Sequence, residues 1–132
     1  MKKYYNFENL ECWRQARDLA VDIHRLSCSE LINGDIVISE GLRKSANLVM
    51  SLIAQGKVLG NDGEFVKHLQ SAKASAAALS SNLIISREIG YLAEGTFLDY
   101  QDKTTHVTSL IGGLINAIKK NKEGKKKTGV SS

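Results

Sequence analysis

The chain has 132 residues, no proline, two cysteines and a formal net charge of +4. Its length suits one domain with one buried core, and the absence of proline suits long, uninterrupted helices. No stretch approaches the roughly 18 apolar residues of a membrane span. The N-terminal lysines are not followed by an apolar segment of the signal-peptide kind. We therefore expect a soluble, cytoplasmic protein with no membrane partner.

The positive charge is concentrated at the C-terminus. Residues 119–132 contain six lysines and one acid, a net charge of +5, whereas residues 1–118 carry 12 basic and 13 acidic groups, a net charge of −1. The six are Lys119, Lys120, Lys122, Lys125, Lys126 and Lys127. Because no apolar periodicity follows Asn121, we predict a domain at 1–118 and a disordered basic tail at 119–132. Such a tail attracts polyanions but does not by itself make a nucleic-acid-binding domain.

A first amphipathic helix is predicted from apolar residues that recur every three or four positions between Leu10 and Leu26. Trp13 and Ala16 lie on its apolar stripe. We interpret Trp13 as a core anchor, because a platform for base stacking would need an exposed ring.

A second helix is predicted after the turn signal formed by Asn33 and Gly34. Asp35 can cap its N-terminus with a side-chain oxygen. An apolar series then runs from Ile38 to Gly56, and the sequence LGNDG ends the helix.

The strongest helical pattern lies in residues 64–92. Six apolar residues there are spaced 4, 3, 4, 3 and 4 positions apart, which places them on one stripe of a helix. They are Phe65, Leu69, Ala72, Ala76, Leu79 and Leu83. Asn61 or Asp62 can cap the start of this helix, and Gly90 can take the left-handed conformation that ends it. A stripe this long and narrow needs partner helices of similar length.

A fourth helix is predicted to begin at Ala93 or Thr96 and to run to Ile118, with a polar first half and an apolar second half. Short turns join the four predicted helices, and we find neither an internal repeat nor a second domain. The fold class we predict is therefore all-α, an antiparallel up-and-down four-helix bundle.

The sequence lacks the patterns that metal and catalytic sites require. Di-iron bundles need inward-facing Glu-x-x-His pairs, but the residues three before the histidines are Val21, Phe65 and Lys103. Cys12 and Cys28 would lie about 24 Å apart on one helix, which is too far for a disulfide, and they lack C-x-x-C spacing. Phosphate-binding and serine-nucleophile motifs are missing as well. We predict no catalytic residue, no cofactor, no metal and no enzymatic activity.

Three motifs occur in order along the chain. The first, F-x-x-L-x-x-W-x-x-A-x-x-L-A, comprises Phe7, Leu10, Trp13, Ala16, Leu19 and Ala20. The second keeps Arg43, Ser51, Ile53, Ala54 and Gly56. The third comprises Glu64, Phe65, Leu69, Ala72, Lys73 and Ser75, followed by Glu88, Ile89, Gly90, Tyr91 and Leu92. Together they resemble the motifs of the four-helix-bundle proteins encoded in intervening sequences of bacterial 23S ribosomal RNA.

The second motif departs from that family at three positions, where Met50 replaces proline, Leu52 replaces asparagine and Gln55 replaces glutamate. The resemblance covers about residues 7–118. It implies an up-and-down bundle that assembles into a homopentamer without enzymatic activity. It also implies similarity in fold to the accessory variability determinant of diversity-generating retroelements, a basic pentamer that binds nucleic acid and a reverse transcriptase.

Three hypotheses follow. The first is a non-catalytic, oligomeric protein associated with structured RNA or DNA, which it contacts through the tail lysines and through Arg43 and Lys44. The alternative for Arg43 and Lys44 is a mixed, solvated helix surface. The second hypothesis is a protein-interaction scaffold, for example a reverse-transcriptase accessory subunit, with no direct nucleic-acid role. A third, that the gene merely resides in ribosomal RNA insertions, is decided by genomic position.

Overall fold

The computed structural model describes residues 6–127, with side chains described through Lys122. One 3₁₀ turn and five helices occur in this range. They are the turn at Phe7–Asn9, α1 at Glu11–Leu26, α2 at Glu30–Asn33, α3 at Ile36–Leu59, α4 at Asp62–Glu88 and α5 at Glu94–Lys127. No strand occurs within 6–127, and the four long helices pack together. The predicted all-α bundle is therefore confirmed.

Contacts between neighbouring helices show that they run in opposite directions. Gly41, near the start of α3, faces Asn82 near the end of α4, whereas Gly56 near the end of α3 faces His68 near the start of α4. The same inverse order holds for the pairs α1–α3 and α4–α5. The contacts that show it are Ser27–Arg43 and His24–Asn47, and Ser80–Gln101 and Arg87–Glu94. The order is therefore up, down, up, down.

The inner stripe of α4 forms the centre of the core, as its spacing predicts. Its six residues are at most 8% exposed, and Leu69, Ala72, Leu79 and Leu83 are fully buried. Burying each large aliphatic side chain contributes about 1.5–3 kcal/mol. The other predicted core and motif residues divide into three groups. Ala16 and Gly56 are buried, Leu10, Trp13 and Ala54 are half-buried, and Gly90 is exposed.

The predicted helix ends are confirmed at three positions. The Asp35 carboxylate accepts a hydrogen bond from the Ile38 amide at 3.2 Å, and the Asn61 side chain accepts one from the Glu64 amide at 2.8 Å. Gly90 ends α4 with a φ of +87°, a conformation that a side chain would strain. Gly90 thus has a conformational role and no role in the core.

Two elements differ from the sequence-based expectation. The break predicted between the first two helices contains the short helix α2, which places Ile32 in the core with no measurable exposure. At the other end, α5 continues past the predicted boundary at residue 118, so the backbone of 119–127 is helical where we predicted disorder. Lysine is a good helix former, and extending an existing helix avoids the cost of nucleation. Residues 128–132 of the predicted tail lie outside the described residues.

No helix within 6–127 combines the length and the apolar character that crossing a membrane requires.

We expect Gly56→Ala to destabilise the bundle by about 1–3 kcal/mol, as overpacking does. A Cβ at this position would lie 2.6 Å from the Cβ of His68, which is fixed to the backbone of α4. Gly41→Ala is the matched control, because the nearest atom is the Asn82 side-chain oxygen at 2.9 Å, which can rotate away. Alanine there also gains up to about 1 kcal/mol of helix propensity. Urea unfolding measures the free energy of unfolding of both variants. Equal values would refute the close approach of α3 and α4 at Gly56.

The Cys12 thiol makes stability depend on pH above the ordinary thiol range. Burial raises the pKa of Cys12 to about 11 from an ordinary value near 9. The folded state therefore favours the protonated thiol, and its stabilisation is complete below pH 9 and lost as the pH rises towards 11. Between pH 8 and pH 10.5 we expect the free energy of unfolding of the wild type to fall by about 1–2 kcal/mol more than that of Cys12→Ala. The variant is the control because its lysines titrate in the same way as those of the wild type. Equal decreases in the free energy of unfolding of the two proteins would contradict a role for the Cys12 thiol.

Candidate nucleic-acid interface

The C-terminal part of α5 presents three lysines to solvent. Lys119, Lys120 and Lys122 are all exposed, and at 100° per residue they cover an arc of about 160° around the helix. None of the three forms an ion pair with a described acid. From residue 103 to residue 122 the chain contains no aspartate or glutamate. Among the residues whose side chains are described, this part of α5 is therefore a positive surface without a neighbouring acid.

Arg43 and Lys44 lie far from these lysines. The pairing of α3 with α4 brings this part of α3 level with Ser80, whose hydroxyl donates a 2.7 Å hydrogen bond to Gln101 of α5. Eighteen residues of helix, or about 27 Å, separate Gln101 from Lys119. The structure thus does not bring the two sets of predicted contacts together within one chain.

Arg43 has a structural partner at the end of α1. Its Nε atom donates to the Ser27 hydroxyl at 2.7 Å, and Nη2 donates to the Ser27 carbonyl at 3.5 Å. Ser27 is fully buried and itself donates to the His24 carbonyl. The half-buried Arg43 therefore ties α3 to the C-terminus of α1, whereas Lys44 is exposed and forms no ion pair with a described acid.

Trp13 lies at the edge of the core rather than at its centre. The indole is half-buried, and its ring centroid lies 5.1 Å from that of Phe7 at an angle of 58°. The Arg17 guanidinium lies 5.5 Å from the indole centroid and also pairs with Asp18 at 3.0 Å. The ring packs against core residues, as a core anchor should, while its outer side carries a cation.

An apolar groove of about 530 Å³ lies where the N-terminal turn meets the end of α3. Phe7, Ala54, Gln55, Val58, Leu59 and His68 line it. Of the three departures from the family pattern, Met50 and Leu52 pack against the core, whereas Gln55 is exposed in this groove. Two of the three substitutions therefore replace the family residue by an apolar core contact.

A small cluster of titratable groups between α1 and α5 has no counterpart in our sequence analysis. The Lys103 ammonium lies 3.2 Å from the Asp22 carboxylate and 3.8 Å from Asp99. The hydrogen bond to Asp22 raises the pKa of Lys103 above its ordinary value, so the ammonium group stays charged. Residues 22 and 103 are 81 positions apart, so no local pattern could show the pair. The pair joins α1 to α5.

The described residues contain no group of three or more His, Cys, Asp or Glu side chains placed to hold a metal ion. Of the two thiols, Cys12 is buried and Cys28 is exposed. Every fully buried side-chain nitrogen or oxygen atom in the described part of the chain has a hydrogen-bond partner. The polar groups in the described interior are thus satisfied by one another.

Comparison with known proteins supports the resemblance found in the motifs. A search among curated proteins found no match. The family model described as 23S rRNA-intervening sequence protein matches residues 8–113, which include α1, α2, α3, α4 and more than half of α5. The three motifs and the all-helical fold agree with this match. The chain belongs to the family of 23S rRNA-intervening sequence proteins.

Proposed function

We propose that this protein is a non-catalytic, oligomeric RNA-associated protein that contacts structured RNA through the C-terminal part of α5. The observation that carries the proposal is the acid-free stretch from residue 103 to residue 122, which ends in three exposed lysines that form no ion pair with a described acid. Helical presentation holds these charges at fixed spacing, so less conformational entropy is lost on binding than with a disordered tail. Membership of the family supports the link to RNA.

Phosphate contacts from lysines release counterions and give an affinity that depends steeply on salt. In the proposed homopentamer, five copies of the C-terminal part of α5 contact one RNA molecule, and the high effective concentration after the first contact raises the overall affinity. Two phosphate contacts per copy would give a log–log salt slope of about −9. Lys125, Lys126 and Lys127, on the same helical backbone, add to this charge.

We expect Lys119→Gln/Lys120→Gln/Lys122→Gln to bind a labelled RNA hairpin at least tenfold more weakly than the wild type at 100 mM salt. The slope of log affinity against log salt should become shallower by roughly 0.9 for each phosphate that the variant no longer neutralises. Fluorescence anisotropy at several salt concentrations measures both quantities.

The control variant removes the same charge from the bundle surface. Arg14→Gln/Arg17→Gln/Lys67→Gln replaces three cations that are paired with Glu11, Asp18 and Glu64 at 2.8–3.6 Å. Because an acid partner already offsets each of these cations, we expect less than a threefold change in RNA affinity. Equal losses in the two variants would show that net charge alone matters. No RNA binding by the wild type at low salt would refute the proposal.

A protein-interaction scaffold, for example for a reverse transcriptase, is the second candidate function. The observation that favours it is the exposed apolar side chains of α4, among them Ile84 at 41% and Ile85 at 46% exposure. Affinity purification of the full chain from its host, with nuclease treatment, separates the two functions. A stoichiometric protein partner without RNA supports the scaffold, and recovery of RNA that disappears on mutating the three lysines supports the first proposal.

A further inference from the structure

The C-terminal end of α5 extends past the helix α4 that packs beside it. The Ser80 hydroxyl of α4 donates a 2.7 Å hydrogen bond to Gln101 of α5, so these two residues lie level with each other. Helix α4 begins at Asp62, eighteen residues before Ser80. Because α4 and α5 are antiparallel, the start of α4 lies level with residue 119 of α5. Helix α4 therefore does not accompany α5 beyond that residue.

Helix α1, which flanks α5 on the other side, ends its contact even earlier. The Lys103 ammonium of α5 lies 3.2 Å from the Asp22 carboxylate, and α1 begins eleven residues before Asp22. The start of α1 is thus level with residue 114. Ile118 is the last apolar residue of α5 that packs against the core. Residues 119–127 form about 13 Å of helix that projects beyond both flanking helices, and we call them the α5 extension.

The α5 extension is cationic around much of its circumference. It contains six lysines and one acid, Glu123. Viewed along the helix axis, Lys120 lies about 100° to one side of Lys119, and Lys122 lies about 60° to the other side. All three lysines are exposed. A flat surface meets only one side of a helix, so cations that point in three directions suit a binding partner with walls on both sides of the helix.

We propose that the α5 extension binds in the major groove of an RNA helix that a bulge or an internal loop has widened. The inference rests on the RNA contact of the proposed function and names the class of RNA that this contact recognises. In such a groove Lys120 and Lys122 contact phosphates of the two opposite strands, and Lys119 points towards the floor between them. The regular helix fixes these directions before binding, which reduces the entropy lost on association.

The shape of RNA explains why the groove has to be widened. An α-helix with its side chains is about 10–12 Å across, whereas the major groove of a regular A-form helix is deep and too narrow for side chains to read. The minor groove is wide but shallow, and it therefore meets only one side of a helix. Unpaired nucleotides interrupt the A-form geometry and let the two strands move apart. A fully paired stem thus offers no groove that holds the α5 extension.

The first test compares two RNA hairpins with the full chain. One hairpin has a fully paired stem, and the other has the same stem with a three-nucleotide bulge. The paired stem is lengthened until both molecules carry the same number of phosphates, so that charge alone gives equal affinities. We expect the wild type to bind the bulged hairpin at least tenfold more tightly, as measured by fluorescence anisotropy. A DNA duplex of the same stem sequence serves as a competitor, since the B-form major groove admits an α-helix.

A pair of variants at one position tests whether the helix itself is needed. Asn121→Pro removes a helical hydrogen bond and kinks the chain, whereas Asn121→Ala favours the helix. The two variants have the same charge, and Asn121 is exposed beyond the core, so urea unfolding should show equal free energies of unfolding for the bundle. We expect Asn121→Ala to keep the tenfold preference. Asn121→Pro should bind the bulged hairpin at least fivefold more weakly and the paired hairpin within twofold of the wild type.

The outcomes separate this inference from the proposed function. Equal affinities of the wild type for the two hairpins would overturn the inference, and the RNA contact would stand if Lys119→Gln/Lys120→Gln/Lys122→Gln still weakens binding. A preference for the bulge that Asn121→Pro retains would overturn it as well, because the helix is then not required. Tighter binding of the DNA duplex than of the bulged RNA would overturn it in favour of a B-form groove. A wild type that binds neither hairpin at low salt would overturn both proposals.

Discussion

The packing of α3 against the inner stripe of α4 is the constraint on which the rest of the structure depends. At Gly56 the two helices approach so closely that a single added carbon would meet the backbone-fixed Cβ of His68. Because the stripe runs along most of α4, the helices that cover it must be long, and the short turns before and after α4 make α3 and α5 antiparallel to it. Polar groups survive inside when they bond to their own helix, as Ser86 and Thr104 do with carbonyls four residues earlier. The polar groups of the core therefore have a structural role.

The same constraint explains why the family motifs describe the bundle and not a binding site. Gly56 permits the close approach of α3 and α4, and Gly90 permits the turn after α4. The Tyr91 hydroxyl donates to the Asp35 carboxylate at 2.9 Å, which fastens the end of α4 to the capped start of α3. Arg43 holds the end of α1 in a similar way. Each motif residue named here acts on a helix end or a helix contact.

Sequence periodicity was sufficient to predict the parts of this fold that depend on local spacing. The stripe of α4 and the caps at Asp35 and Asn61 follow from residue type and position alone. Local spacing does not give the distances between helices. The structure was therefore needed to find the Asp22–Lys103 pair and the separation of Lys44 from Lys119. The continuation of α5 through its lysines was missed because a charged segment without apolar residues gives no periodic signal, although its helix propensity is high. Of the candidate site, the sequence identified the charges and the structure identified their arrangement.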